Sequence, residues 1–324
     1  MDTTRKLPIP IVYAGAIIAL LALVWISLFT GVKDIAMRDV FAMTPDQLLV
    51  FTIARIPRAI ALVLTGAGLS VAGFIMQQLS QNKFVSPTTA GSLEAAKMGI
   101  LFSILLIPQA SMGAKTIAAL VFTLAASLLF MVMVRRVRFR SSVFIPLVGI
   151  MFGNILAAIS TFFAFKHGIV QNVQEWMIGD FSSVLQGQYE SIYLILPAVV
   201  LAYTYADRFT IVGMGASFAK NLGISYGAVV NLGLFAVSLT VSVSVVTAGA
   251  IPFLGLIVPN MVSMIMGDNL RRTLPMTALA GAVFLLFCDI LGRTIIYPYE
   301  IPIGLMVGVI GGVIFLFLIL RRNR

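Results

Sequence analysis

Long, nearly charge-free apolar runs dominate this sequence and leave few folds open to it. They fall at residues 7–32, 59–82, 98–114, 116–134, 141–165, 191–206, 221–267, 273–288 and 301–320. A helix that crosses about 30 Å of hydrocarbon needs roughly 20 such residues. In lipid, each segment must satisfy its own backbone polar groups, which selects helices over an open sheet. The runs are continuous and do not alternate in short stretches, which excludes outer-membrane strands. The seventh run is too long for one crossing, and Pro252, Gly255 and Pro259 interrupt it. Divided there, the chain is expected to make about ten crossings at roughly 20 residues each.

Composition agrees. Hydrophobic residues make up 60% of the chain and charged ones 10%, where a soluble domain carries about 25% charged residues. The net charge of +10 would suit a nucleic-acid partner, but its distribution argues against one. Ten crossings place Arg5, Lys6, Lys83, the basic residues of 135–140, Arg208, Lys220, Arg271, Arg272 and the C-terminal arginines on one side. The other side receives Lys33, Arg38, Arg55, Arg58, Lys115, Lys166 and Arg293. This asymmetry predicts a multi-pass protein of the cytoplasmic membrane with both termini in the cytoplasm and lipid as its surroundings, with no nucleic acid. The first run is too long for a signal-peptide core and lacks a small-residue cleavage site, so it is expected to remain as a helix. Cys288 is the single cysteine and cannot form an intrachain disulfide.

Enzyme readings find little support. The nearest string to a phosphate-binding loop, Gly113-Ala-Lys-Thr116, lacks the glycine before lysine and the upstream glycine. His167 has no nearby Cys or second His, whereas zinc sites want three or four protein ligands. The Gly-x-Ser-x-Gly spacing occurs at Gly223-Ile-Ser-Tyr-Gly227, but it sits in the polar stretch 208–227 without the preceding strand that a nucleophile elbow needs. Glycine pairs such as Gly66/Gly68 read as helix packing, as do the glycines at 149/153 and 304/308/311/312. No catalytic, cofactor-binding or metal-ligating residue is therefore expected, and ATP hydrolysis would need another chain.

Two motif blocks stand out of the apolar background. One begins Ala54-Arg-Ile-Pro-Arg58 and continues through Gly66, Gly73, Gln77, Gln78 and Asn82 to Pro87 and Gly91. The other is Gly249-Ala-Ile-Pro-Phe-Leu-Gly-Leu-Ile-Val-Pro-Asn260, followed by Gly267-Asp-Asn-Leu-Arg-Arg272 and Leu274-Pro275. Their order and spacing resemble the FecCD-type permeases of ABC importers for iron-siderophores, haem and cobalamin. The string from Asn82 to Gly91, with Glu94 and Lys97, is similar to a subset that handles catecholate-type siderophores. The resemblance runs from about Arg55 to Arg322. It departs from the family at Asn260, at Cys288 and at Gly311-Gly-Val.

The resemblance implies an all-α polytopic membrane protein with the type II ABC importer permease fold, as a single domain over residues 1–324. It implies as partners a second permease chain, a cytoplasmic ABC ATPase dimer and an extracytoplasmic siderophore-binding protein. Arg55, Arg58 and Arg293 match positions that receive acidic residues of the docked binding protein. Read alone, Arg55 and Arg58 flank Pro57 at a helix start, where positive charge is unfavourable by the dipole, and lipid anchoring is the rival reading. Asp289 could pair with Arg293, and Glu94 with Lys97, by helical spacing. The polar stretch 208–227 matches the ATPase-coupling segment, around Ala216, Ala219, Leu222 and Gly223; alone it reads as an amphipathic connector. Phe84, Ser141 and Ser142 match loops that form the cytoplasmic gate. The alternative to an ABC importer is a proton- or sodium-coupled transporter, which requires carboxylates and broken helices near the midplane.

Overall fold

The computed structural model describes residues 9–33, 35, 43–107, 109–136 and 143–322. Its elements are α1 (Ile9–Phe29), α2 (Pro45–Val50), α3 (Ile56–Ser80), α4 (Ser92–Leu106), α5 (Met112–Arg136), α6 (Phe144–Lys166) and α7 (Val170–Trp176). They continue with α8 (Ile195–Thr204), α9 (Ala206–Gly213), α10 (Ala216–Asn221), α11 (Tyr226–Ala248), α12 (Leu254–Met266), α13 (Leu270–Thr294) and α14 (Ile303–Arg322). No strand occurs among the described residues.

Among the described residues, six helical stretches are long and apolar enough to cross a membrane, and a seventh counts if the pair bent by 64° at Tyr205 is one span. Together with α4, α12 and α14, they give each of the ten expected crossings a helix. Several boundaries differ. The third helix begins at Ser92 and ends at Leu106, not over 98–114. Charge at Glu94 and Lys97 hid its start, because the two side chains pair at 3.4 Å and so enter the apolar layer together. Pro259 lies inside α12; the break in the long run is 249–253.

The second span starts well before Arg55. Thr44 caps α2: Gln47 N–H donates to its hydroxyl and its own N–H donates to Gln47 Oε1 at 3.0 Å. The helix then widens into a π-type turn over Phe51–Arg55, where Ile56 N–H reaches back to Phe51 O. Pro57 supplies no N–H, and the freed Ile53 carbonyl accepts instead from Gln186 N–H at 2.9 Å. Arg55 is thus mid-helix and not at an exposed N-terminus, which corrects the dipole argument made for it above.

α3 is the central post, buried over most of its length. Two close approaches fix its neighbours: a Cβ at Gly66 would lie 2.6 Å from Gly281 O on α13, and one at Gly73 would lie 1.8 Å from Gly255 O on α12. Glycines at these crossings act as packing surfaces. At the second crossing the two motif blocks meet, since Gly255 also faces Pro87. Each block contains non-helical backbone: 81–91 before α4 and 249–253 before α12. Such backbone is tolerated at membrane depth only when protein encloses it. In the first break, Val85, Ser86 and Ala90 are fully buried, as is Ser92 at the start of α4. Its polar groups close on themselves, with Ser86 N–H donating to Thr89 Oγ1 at 2.8 Å and Ser92 N–H to Pro87 O at 3.0 Å. In the second, Gly249 sits at φ +76°, and a Cβ there would lie 2.6 Å from Ile178 O, so only glycine fits.

Candidate functional site at the two ends of the bundle

At one end, Arg55, Arg58 and Arg293 converge, but not on solvent. α1 and α13 run side by side, and the last carbonyls of α1 would otherwise be unpaired. Arg293 donates to Ser27 O at 3.1 Å, Thr30 O at 2.8 Å and Ser27 Oγ at 2.6 Å. Arg55 donates to Leu28 O at 2.9 Å and to Lys33 O. The two guanidiniums therefore cover the negative end of a helix dipole. Arg58 on α3 donates to Asp289 Oδ1 at 2.8 Å and, through Nη1, to Glu300 Oε2 at 2.8 Å. Asp289 also pairs with Arg293, the helical-spacing pair expected from sequence.

The expectation of outward-facing charge is corrected here. Arg55 and Arg293 are 7% and 5% exposed, and only the Arg58 side chain keeps a modest opening, 15%. Sequence reasoning paired Asp289 with Arg293 but missed the long-range bonds of Asp289 and Glu300 to Arg58. The available signal was charge balance: burying several arginines requires acceptors nearby.

The opposite end holds the polar stretch 208–227. α9 and α10 form two short helices there. Ala219 is fully buried, and Gly223 at φ +70° lets Ile224 N–H return to Ala219 O at 3.0 Å, closing the turn. Ala216 and Leu222 are exposed, and with Met214 and Phe218, which sequence reasoning did not single out, they present an apolar knob. Phe84, half-buried, packs edge-on against Phe315 of α14 with ring centres 6.3 Å apart. Ser141 and Ser142 lie outside the described residues. The basic residues also segregate as the asymmetry requires: Lys83, Arg135, Arg208 and Arg271 share this end with Tyr226 and Asp268.

Among the described residues no three His, Cys, Asp or Glu side chains gather to hold a metal ion. A cavity of about 420 Å³ lies beside Phe84, lined by Gln81, Asn82, Arg135 and Tyr226 among others. The two ends offer contact surfaces and a loop.

Residues 19–321 match the model of the FecCD transport family. This chain belongs to that family. The petrobactin import system permease protein YclN of Bacillus subtilis (strain 168) is 53% identical to this FecCD member over 306 residues, covering 94% of this chain and 97% of that protein. The ferric-anguibactin transport system permease protein FatD of Vibrio anguillarum is 44% identical, again over 94% of this chain and 97% of its own. A solved structure described as an inward-facing metal-chelate type ABC transporter superposes with a TM-score of 0.79, covering 96% of this chain and 98% of that one, at 22% identity. That last likeness concerns fold. Together they establish an all-α polytopic membrane protein with an ABC importer permease architecture.

Proposed function

We propose that this chain is the permease subunit of an ATP-binding-cassette importer that carries a ferric siderophore across the cytoplasmic membrane. The 53% identity to a petrobactin import permease over nearly the whole chain carries the reading. Residues 1–324 act as one permease domain, paired with a second permease chain. An ATPase dimer takes the apolar knob around Ala216, Ala219, Leu222 and Gly223, and a siderophore-binding protein docks at the arginine end. Alternating access follows: ATP closes the ATPases, the coupling segment moves, and Phe84, with Ser141 and Ser142, opens or seals the inner mouth. The decisive experiment reconstitutes the complex in proteoliposomes and follows ferric-petrobactin uptake against ATP. Uptake driven by a proton or sodium gradient without ATP would favour the secondary transporter instead. The carboxylates available to that rival are already engaged, Asp289 by two arginines and Glu94 by Lys97.

The orientation reading is tested by cysteine labelling. Cys288 is fully buried and gives a silent background. Lys115→Cys and Arg136→Cys stand at opposite ends of α5, so an impermeant maleimide should reach the first from outside and the second only from inside. Labelling of both from one side would sink the crossing.

Docking is read through Arg58, with Arg55 and Arg293 holding the end of α1 around it. A docking carboxylate competes with Glu300 for Arg58, because both are anions for one guanidinium. Glu300→Gln should therefore strengthen capture of the binding protein at low salt, and Arg58→Gln should weaken it, both effects fading as salt rises. Capture that ignores both substitutions would return these arginines to a purely structural role.

A further inference from the structure

Three polar links join the two sites at the ATPase-facing end, and all pass through one short turn. The turn is 267–271, the connection out of α12 together with the first two residues of α13. On one side it grips the coupling segment: Leu270 N–H donates to Thr210 Oγ1 at 3.2 Å, and Arg271 Nη1 donates to Asp207 Oδ2 at 2.6 Å. Asp207 and Thr210 belong to α9, which leads directly into the α10 knob. On the other side the turn grips the loop before α4: Lys83 Nζ reaches both carboxylate oxygens of Asp268, at 2.9 and 2.8 Å. Lys83 is the immediate neighbour of Phe84. Its carbonyl is held from α12 by Asn260 Nδ2 at 2.9 Å, and Phe84 N–H is held by Asn82 Oδ1, also at 2.9 Å.

We infer that the 267–271 turn transmits motion from the coupling segment to Phe84, with the Lys83–Asp268 pair as its releasable latch. The inference rests on the reading of 208–227 as the coupling segment and of Phe84 as part of the gate. The physical case is one of placement and strength. A rigid body displaced at α9 drags the start of α13 through one backbone and one charged bond. Asp268, two residues upstream of Leu270, is carried with it and either pulls Lys83 or lets it go. The pair suits a contact broken in every cycle. Its side chains are 41% and 52% exposed, so water replaces the lost bond readily and little folding stability depends on it. The Leu270–Thr210 and Asn260–Lys83 bonds beside it are partly buried and move as units, whereas this pair can open. The Arg271–Asp207 pair, at 64% and 53% exposed, is solvated too, but the Leu270 bond backs it on the same side. Asn260 supports the same assignment. Its amide ties the Lys83 carbonyl to the very helix whose end bears Asp268, so latch and hinge share α12.

Adjacency alone does not demonstrate coupling, and charge exchange supplies the test. The full complex, with ATPase and binding protein, is reconstituted with K83E, D268K or both, and ATP hydrolysis and ferric-petrobactin uptake are measured together. Each single variant should leave hydrolysis running while uptake falls, raising ATP consumed per cargo by about five-fold or more. The K83E/D268K exchange should bring the ratio back towards the parent. A merely structural pair would lower assembled yield and melting temperature without moving that ratio. The neutral variants K83Q and D268N read the same ratio where a charge reversal impairs assembly. If the ratio is unchanged in the singles, or the exchange is no better than either, the relay is overturned while the importer reading stands. A parent complex without ATP-driven uptake overturns both.

Discussion

Gly73→Ala is expected to collapse the stability of this protein, although it adds a single methyl group. The new Cβ would stand 1.8 Å from Gly255 O and 2.4 Å from Gly255 C and Cα. All three are backbone atoms, so no side-chain rotation can make room. Overpacking usually costs about 1–3 kcal/mol, and with two helix backbones forced apart the loss should reach or exceed the top of that range. The damage would also separate the two motif blocks, because α12 is packed on α3 at this crossing. Gly15→Ala on α1 is the control, since nothing lies within 4 Å of its Cβ position. There alanine should be neutral or slightly stabilising, by up to about 1 kcal/mol, through its better helix propensity. Melting of the detergent-purified proteins, followed by size-exclusion fluorescence, compares them. Similar melting temperatures for the two variants would contradict the described crossing.

Asp289→Ala should produce the second large effect. The Asp289 side chain is 1% exposed and binds Arg58 and Arg293, whose own side chains are 15% and 4% exposed. Removing one partner from a buried ionic cluster leaves charge uncompensated and costs about 3–5 kcal/mol. Glu300 can still serve Arg58, but Arg293 retains only the carbonyls and hydroxyl at the end of α1. The matched comparison is Asp268→Ala at the far end. That pair is also 2.8 Å long but largely solvated, so its loss should cost at most about 1 kcal/mol. Equal melting shifts for Asp268→Ala and Asp289→Ala would mean that burial does not govern these ion pairs.

Much of the architecture was legible because lipid imposes a simple rule, apolar length. The ten expected crossings each correspond to a helix, and the Asp289–Arg293 and Glu94–Lys97 pairs were expected from spacing. What remained hidden has a common cause. Charges that pair within the fold look, in one dimension, like the end of a membrane segment. Glu94 and Lys97 displaced the start of α4, and Asp46, Arg55 and Arg58 concealed the 36-residue helical stretch from Pro45 to Ser80. Pro259 misled in the opposite direction, since a proline inside a helix is tolerated when neighbours occupy the freed groups. Partners 231 and 242 residues apart, as for Arg58 with Asp289 and Glu300, leave no local trace at all.

The half-length helices have a consequence for how the chain is made. With 13 residues, α12 spans only about 20 Å at 1.5 Å per residue, well short of about 30 Å of hydrocarbon. It is a poor client for insertion as an independent segment, and the unwound stretch ahead of it carries exposed amides until Gly255 settles against Gly73. Because synthesis runs from the N-terminus, α3 is already in the bilayer when α12 emerges, and the surface that must receive it is waiting. Assembly is therefore expected to be directional: the late, short α12 completes a scaffold to which α3 already belongs.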